Sequence, residues 1–201
     1  SIIFGYESIF ESVKSATNIS SSSPGQLLSG NALNVNWIIT HLLRFFNPNY
    51  YGPLIDGRCT YIIDPGNLSY FFSRLLFILA FSYTIIFFLK AKNSFKNFIL
   101  FSILGYWSYF NFNIAVHENH LFIANILVFI LYHFDKQYKK MILSIILISN
   151  INMFIFYGID GSGLPFNRAI LNLFDTAFLI SVFNVLIFIS FWCKYILIKN
   201  K

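Results

Sequence analysis

Four long apolar stretches, at 68–89, 95–116, 141–157 and 170–192, decide most of what this chain can fold into. Crossing the hydrocarbon of a bilayer takes about 20 apolar residues of helix, and these stretches meet or approach that length. Of the 201 residues, 57% are hydrophobic and only 11% charged, which leaves too little polar surface for a soluble domain of this size. The expected fold is therefore all-α, a polytopic membrane helix bundle. A fifth apolar stretch, 121–134, is too short to cross alone, but a helix begun at His117 would cover 117–134. About five transmembrane helices are expected, and the fifth requires the group His117-Glu118-Asn119-His120 to lie at the membrane boundary.

The lysines orient the bundle. If the five stretches alternate in direction, Lys90, Lys92, Lys96, Lys136, Lys139, Lys140, Lys194, Lys199 and Lys201 all fall on one side, with only Asp135 among them. Cytoplasmic loops carry such an excess, so that side and the C-terminus are expected to be cytoplasmic. The other side then holds 117–120, the loop 158–168 and everything before residue 68. The arginines, Arg44, Arg58, Arg74 and Arg168, belong to this second side. Arginine presents a planar fork suited to phosphate or carboxylate, whereas lysine acts as a hydrated point charge. The extracytoplasmic side is thus the candidate for binding an anion. The net charge of +6 comes without a basic stripe interleaved with aromatics, so nucleic acid is not an expected partner.

Residues 1–67 differ in texture and are expected to form an extracytoplasmic or interfacial region of amphipathic helices and loop, with 68–201 as the transmembrane bundle. The stretch 6–16 has helical spacing, and 18–31 is rich in Ser, Gly and Pro. Residues 34–46 are apolar but too short to span, which predicts an interfacial or re-entrant helix. The turn-rich 47–67 is expected as an outer loop. Cys59 and Cys193 have no partner spacing that would indicate a disulfide framework or a zinc ribbon.

The polar group at 117–120 carries the chemistry. His117 and His120 are three residues apart and would share a helical face. A zinc protease motif needs its second histidine at position 121, which is leucine, and two histidines are too few for a zinc site. No metal and no cofactor is expected. A histidine at the water boundary can instead donate to a phosphate oxygen, with Glu118 holding a neighbour in place. A polar turn capping the next helix is the plainer alternative. Arg74 and Asp175 lie within apolar stretches, where an ionisable group is costly unless it faces the bundle. Arg168 and Asp175 are two helical turns apart, so 117–120, Arg74, Arg168 and Asp175 are expected at one outer level.

The stretch AVHENHLF, preceded by SGNALNVNW at 29–37, resembles the C-terminal half of GT-C glycosyltransferases that take a hexose from a polyprenyl phosphate. The resemblance covers about residues 25–135, with Leu33 where the family commonly has Phe. It implies a membrane-embedded inverting transferase, in the plasma membrane or the endoplasmic reticulum, acting on the extracytoplasmic or luminal face. It implies that His117 contacts the donor phosphate, supported by Glu118 and His120, with Arg74 and Arg168 added from sidedness. Asn31, Asn34 and Trp37, together with Asp175, would line the substrate groove. Partners would be the bilayer, a polyprenyl-phosphate-linked sugar, and a glycan or lipid-linked acceptor. The family's catalytic acidic pair has no counterpart in these 201 residues, since Asp56 and Asp64 sit in unlike contexts. The catalytic residue is therefore unassigned, and an upstream half or partner chain is expected. The alternatives are a transporter or flippase for an anionic lipid-linked substrate, or a non-catalytic subunit of a glycosyltransferase complex.

Overall fold

The computed structural model describes residues 28–52, 66–158 and 176–198. Among them are seven α-helices: α1 (Val35–Phe46), α2 (Pro48–Tyr51), α3 (Gly66–Lys90), α4 (Phe95–Phe112), α5 (Phe122–Phe134), α6 (Lys139–Tyr157) and α7 (Thr176–Trp192). A two-residue parallel pair joins β1 (Ser29–Gly30) to β2 (Val116–His117). Short 3-10 turns occupy Glu118–Leu121 and Lys136–Tyr138, and α7 continues into a π-helical segment, Cys193–Ile198. Three helical segments are long and apolar enough to cross a membrane: Leu68–Lys90, Lys136–Tyr157 and Thr176–Ile196, with mean hydropathies of 2.0, 1.7 and 2.1. The chain is thus mostly helical, with the marks of an integral membrane protein. The stretches 6–16 and 18–27 lie outside the described residues, as do Arg58, Arg168 and Asp175.

Helix α4 forms the centre. Ile103, Leu104, Trp107 and Phe110 are wholly buried, and Gly105, Ser108 and Asn111 are buried with them. Its polar residues are tolerated because neighbouring helices, not lipid, surround them. Trp107 donates through Nε1 to Asn184 Oδ1 of α7 at 3.1 Å, and stacks edge-on against Phe188 at 5.6 Å. Helix α3 is the opposite case. Phe71, Phe72, Ile78, Leu79, Ile85, Ile86 and Leu89 are exposed, as befits a peripheral helix facing hydrocarbon.

Helix α1 forms where the length of 34–46 predicts a short helix, and it is turned inside out. Its buried face carries Asn36, Trp37, Thr40, His41 and Arg44, while Phe45 and Phe46 are exposed. The reversal follows from the surroundings: apolar side chains cost nothing against lipid, and polar ones find partners inward. His41 lies against the Phe178 ring of α7, with ring centres 4.5 Å apart. Residues 28–46 therefore pack against α4 and α7.

Two expected helix ends move. Helix α4 stops at Phe112, four residues before the apolar stretch ends. The Asn36 amide donates to the carbonyls of Asn113 at 2.7 Å and Phe112 at 3.4 Å, satisfying groups that a continued helix would have used. Ala115 then takes a left-handed conformation, φ 53°, and its N–H donates to Leu28 O at 2.9 Å. The segment expected as a helix from His117 begins instead in extended backbone, φ −93° and ψ 160°, then a single 3-10 turn before α5.

Candidate functional site

The site is assembled by a backbone pairing between segments far apart in the chain. Ser29 pairs with Val116 and Gly30 with His117, and Asn31 bridges to His117. The ring of His117 lies directly over Gly30. A Cβ at position 30 would stand 2.7 Å from His117 Nδ1, a distance no side-chain carbon tolerates. Glycine at 30 is thus a requirement of the histidine's seat. The turn after it is held by Asn31, left-handed at φ 64°, and by Ser29, whose Oγ donates to Ala32 O at 2.8 Å and accepts from Ala32 N at 3.1 Å.

Asn152 of α6 clamps the two segments together. Its Oδ1 accepts from Leu33 N at 2.8 Å, and its Nδ2 reaches both Asn31 O and Glu118 O at 3.3 Å. Asn184 of α7 ties Leu33 to α4, donating to Leu33 O at 2.7 Å and to Asn111 Oδ1 at 3.0 Å. Away from water such side chains satisfy backbone groups that sheet or helix would otherwise claim.

The polar group itself divides by exposure. His117 is about half exposed, with side-chain exposure of 52%, whereas Glu118 is at 6%. The Glu118 carboxylate accepts through Oε1 from the Tyr157 hydroxyl at the end of α6, and its Oε2 stands 4.0 Å from His117 Nδ1. His120 is half-buried. Its Nδ1 accepts from the His117 N–H at 3.3 Å, with the Tyr109 hydroxyl 3.4 Å away. The rings of His117 and His120 stand edge to face, centres 5.6 Å apart. The result is a solvent-facing imidazole backed by a buried carboxylate, an arrangement suited to donating a hydrogen bond to an anion.

The other expected residues separate. Asn31 is half-buried beside His117. Asn34 is wholly buried and works as scaffold: its Oδ1 caps α1 by accepting from Trp37 N at 3.1 Å, and its Nδ2 donates to Phe110 O at 2.8 Å. Trp37 is buried against Phe156, with ring centres 5.3 Å apart. Arg74, expected to face the bundle, is exposed, while the adjacent Ser73 is buried and donates to Asn36 Oδ1 at 2.5 Å. Arg168 and Asp175 lie outside the described residues. Among the described residues no group of three or more metal-ligating side chains converges.

Sequence reasoning missed Gly30 as the seat of His117, Asn152 as the clamp and Tyr157 as the holder of Glu118. A signal existed for Asn152 and Asn184, since an amide inside an apolar stretch calls for an internal partner. Comparison with protein-family models, with curated proteins and with solved structures found no match.

Proposed function

We propose that this chain crosses the membrane five times, through α3 to α7, with its lysine-rich loops and C-terminus cytoplasmic. On this reading the end built by β1, β2 and the 118–121 turn lies at the extracytoplasmic or luminal surface. There it binds the phosphate of a polyprenyl-phosphate-linked sugar, as the leaving-group half of a hexosyl transfer. The observation that carries the proposal is the in-register pairing of Gly30 with His117, which unites the two motifs of the GT-C resemblance around one exposed imidazole backed by a buried carboxylate.

The chemistry follows from charge. When the bond between the sugar's anomeric carbon and the phosphate oxygen breaks, negative charge collects on the departing phosphate. A hydrogen-bond donor already in place there lowers the barrier. His117 is that donor, and Glu118 orients its ring while Tyr157 fixes Glu118. Glu118 cannot itself meet the phosphate without repulsion, which its burial prevents. His120 supports the turn by accepting from the His117 N–H.

The test is binding of a radiolabelled polyprenyl-phosphate mannose or glucose to the purified protein in detergent. His117→Ala is expected to weaken binding at least tenfold, in line with one charge-assisted hydrogen bond of roughly 1.5–3 kcal/mol. His133→Ala, at the lysine end, leaves it unchanged. Wild-type protein that binds neither lipid, or an unaltered His117→Ala variant, overturns the reading.

A further inference from the structure

Between α3 and α4, on the outside of the bundle, runs an apolar groove of about 240 Å³. Buried Phe101 and Gly105 form its floor, and exposed Phe81, Ile85, Phe98 and Tyr106 its rim. Gly105 keeps it open, since a Cβ there would already come within 3.2 Å of Phe81 Cε2. The helices run antiparallel, and at its lysine end the groove is lined by Phe88, Phe98 and Phe101, with the Phe88 ring centre 6.1 and 5.8 Å from the other two.

The ends of the groove are unlike. From Phe81 to Phe88 it runs about 10 Å along α3, and Lys90 follows about 3 Å later. That total fits within one leaflet, roughly 15 Å deep. At the Phe88 end, exposed Lys90 and Lys92 stand on the turn that joins the helices. The turn is pinned, with Ser94 capping α4 and Asn97 Nδ2 donating to Lys92 O at 2.8 Å. Lys96 is engaged by Asp135 at 3.0 Å, but among the described residues neither Lys90 nor Lys92 has an ion pair. An apolar groove that fits within one leaflet, with two cations at one end that have no ion pair among the described residues, suits an anionic lipid in both shape and charge.

We propose that this groove is a binding site for an anionic phospholipid of the lysine-side leaflet, with one acyl chain between α3 and α4 and the phosphate held by Lys90 and Lys92. The site is separate from the His117 end and stands or falls independently of it. Headgroup attraction supplies the selectivity, and the groove supplies the dependence on a tail.

Native mass spectrometry of the purified full chain in detergent, titrated with palmitoyl-oleoyl phosphatidylglycerol or phosphatidylcholine, tests it. One phosphatidylglycerol is expected to bind more tightly than phosphatidylcholine. Each lysine near an anionic headgroup is worth roughly a fivefold difference, so the Lys90→Gln, Lys92→Gln double variant should abolish most of the preference. Lyso-phosphatidylglycerol, with one chain, should still bind, and glycerophosphoglycerol, with none, should not. Ser102→Phe, which fills the groove, should weaken both diacyl lipids, with a thermal unfolding curve confirming that the variant is folded. Equal binding of the two lipids, a preference that survives the lysine changes, or a dimer mass that disappears with Ser102→Phe would each overturn the proposal, the last by showing that a second copy covers the groove.

Discussion

The two ends of the bundle are built by different means. At the histidine end, β1 and β2 meet across most of the N-terminal half of the chain, and Asn152 bonds Leu33 from 119 residues away. At the lysine end the caps are local, Ser94 on α4 and Asp135 on the turn at Lys136–Tyr138, and the longer link between them, Lys96–Asp135, lies near the surface. A local turn only has to reverse the chain. A site has to hold one imidazole in one place, and that takes partners from several helices. The histidine end should therefore be sensitive to single changes, and the lysine end tolerant of them.

The largest expected effect is Asn152→Leu. It orphans the Leu33 N–H and removes a donor from the Asn31 and Glu118 carbonyls, costing about 3 kcal/mol where one unpaired buried group costs about 1–3 kcal/mol. Reversible denaturation in mixed micelles would measure it; a loss under about 0.5 kcal/mol would show that the two segments are held by other contacts. Next comes Gly30→Ala, where overpacking against the His117 ring should cost about 1–3 kcal/mol and tilt the ring away from Glu118. Binding of the polyprenyl-phosphate sugar should fall with it. A variant of full stability with normal binding would break the link between the strand pairing and the site.

Tyr157→Phe should cost about 1.5 kcal/mol, the lower end for a hydrogen bond to a charged group, because it deletes one bond to Glu118 and leaves the backbone intact. Its diagnostic is a split: ligand affinity drops more than stability does, since Tyr157 acts by positioning Glu118. Equal losses in both would make it a packing residue only. The smallest effect belongs to the lysine end. The Gln137 N–H, first, and the Lys96 ammonium, second, hold the Asp135 carboxyl below its ordinary range. A depressed carboxylate contributes stability above its unfolded pKa and loses it as pH falls through the folded value. Acidification should therefore shift the unfolding midpoint slightly downward, and Asp135→Asn should remove that shift without touching ligand binding. Any effect of Asp135→Asn on binding would mean the two ends are coupled.

Much of the fold was legible because hydrophobic length is a local property. The apolar stretches at 68–89 and 141–157 became α3 and α6 to within a few residues, since in lipid a helix must satisfy its own backbone. The end of α4 was not legible, because Asn36, in another helix, sets it. Nor was the inverted face of α1, since a pattern of Asn, Thr, His and Arg looks solvent-facing until the outside is known to be apolar. His117, Glu118 and His120 stood out by their chemistry and Asn31 by the resemblance, and the structure brings the four together. Asn34 and Trp37, which the same resemblance points to, are buried, and the sequence did not show that Asn34 also caps a helix and bonds a carbonyl of α4.

By itself the sequence determined that the chain is helical and suited to a membrane. Periodicity, apolar length and charge are summed over neighbours in the chain, so no fold is needed to read them. Only the tertiary structure decided that Gly30 lies under His117, that Glu118 is buried and held by Tyr157, and that Arg74 faces outward. Those facts depend on which distant segments meet, and a hydrogen bond between residues 119 apart leaves no periodic trace in either.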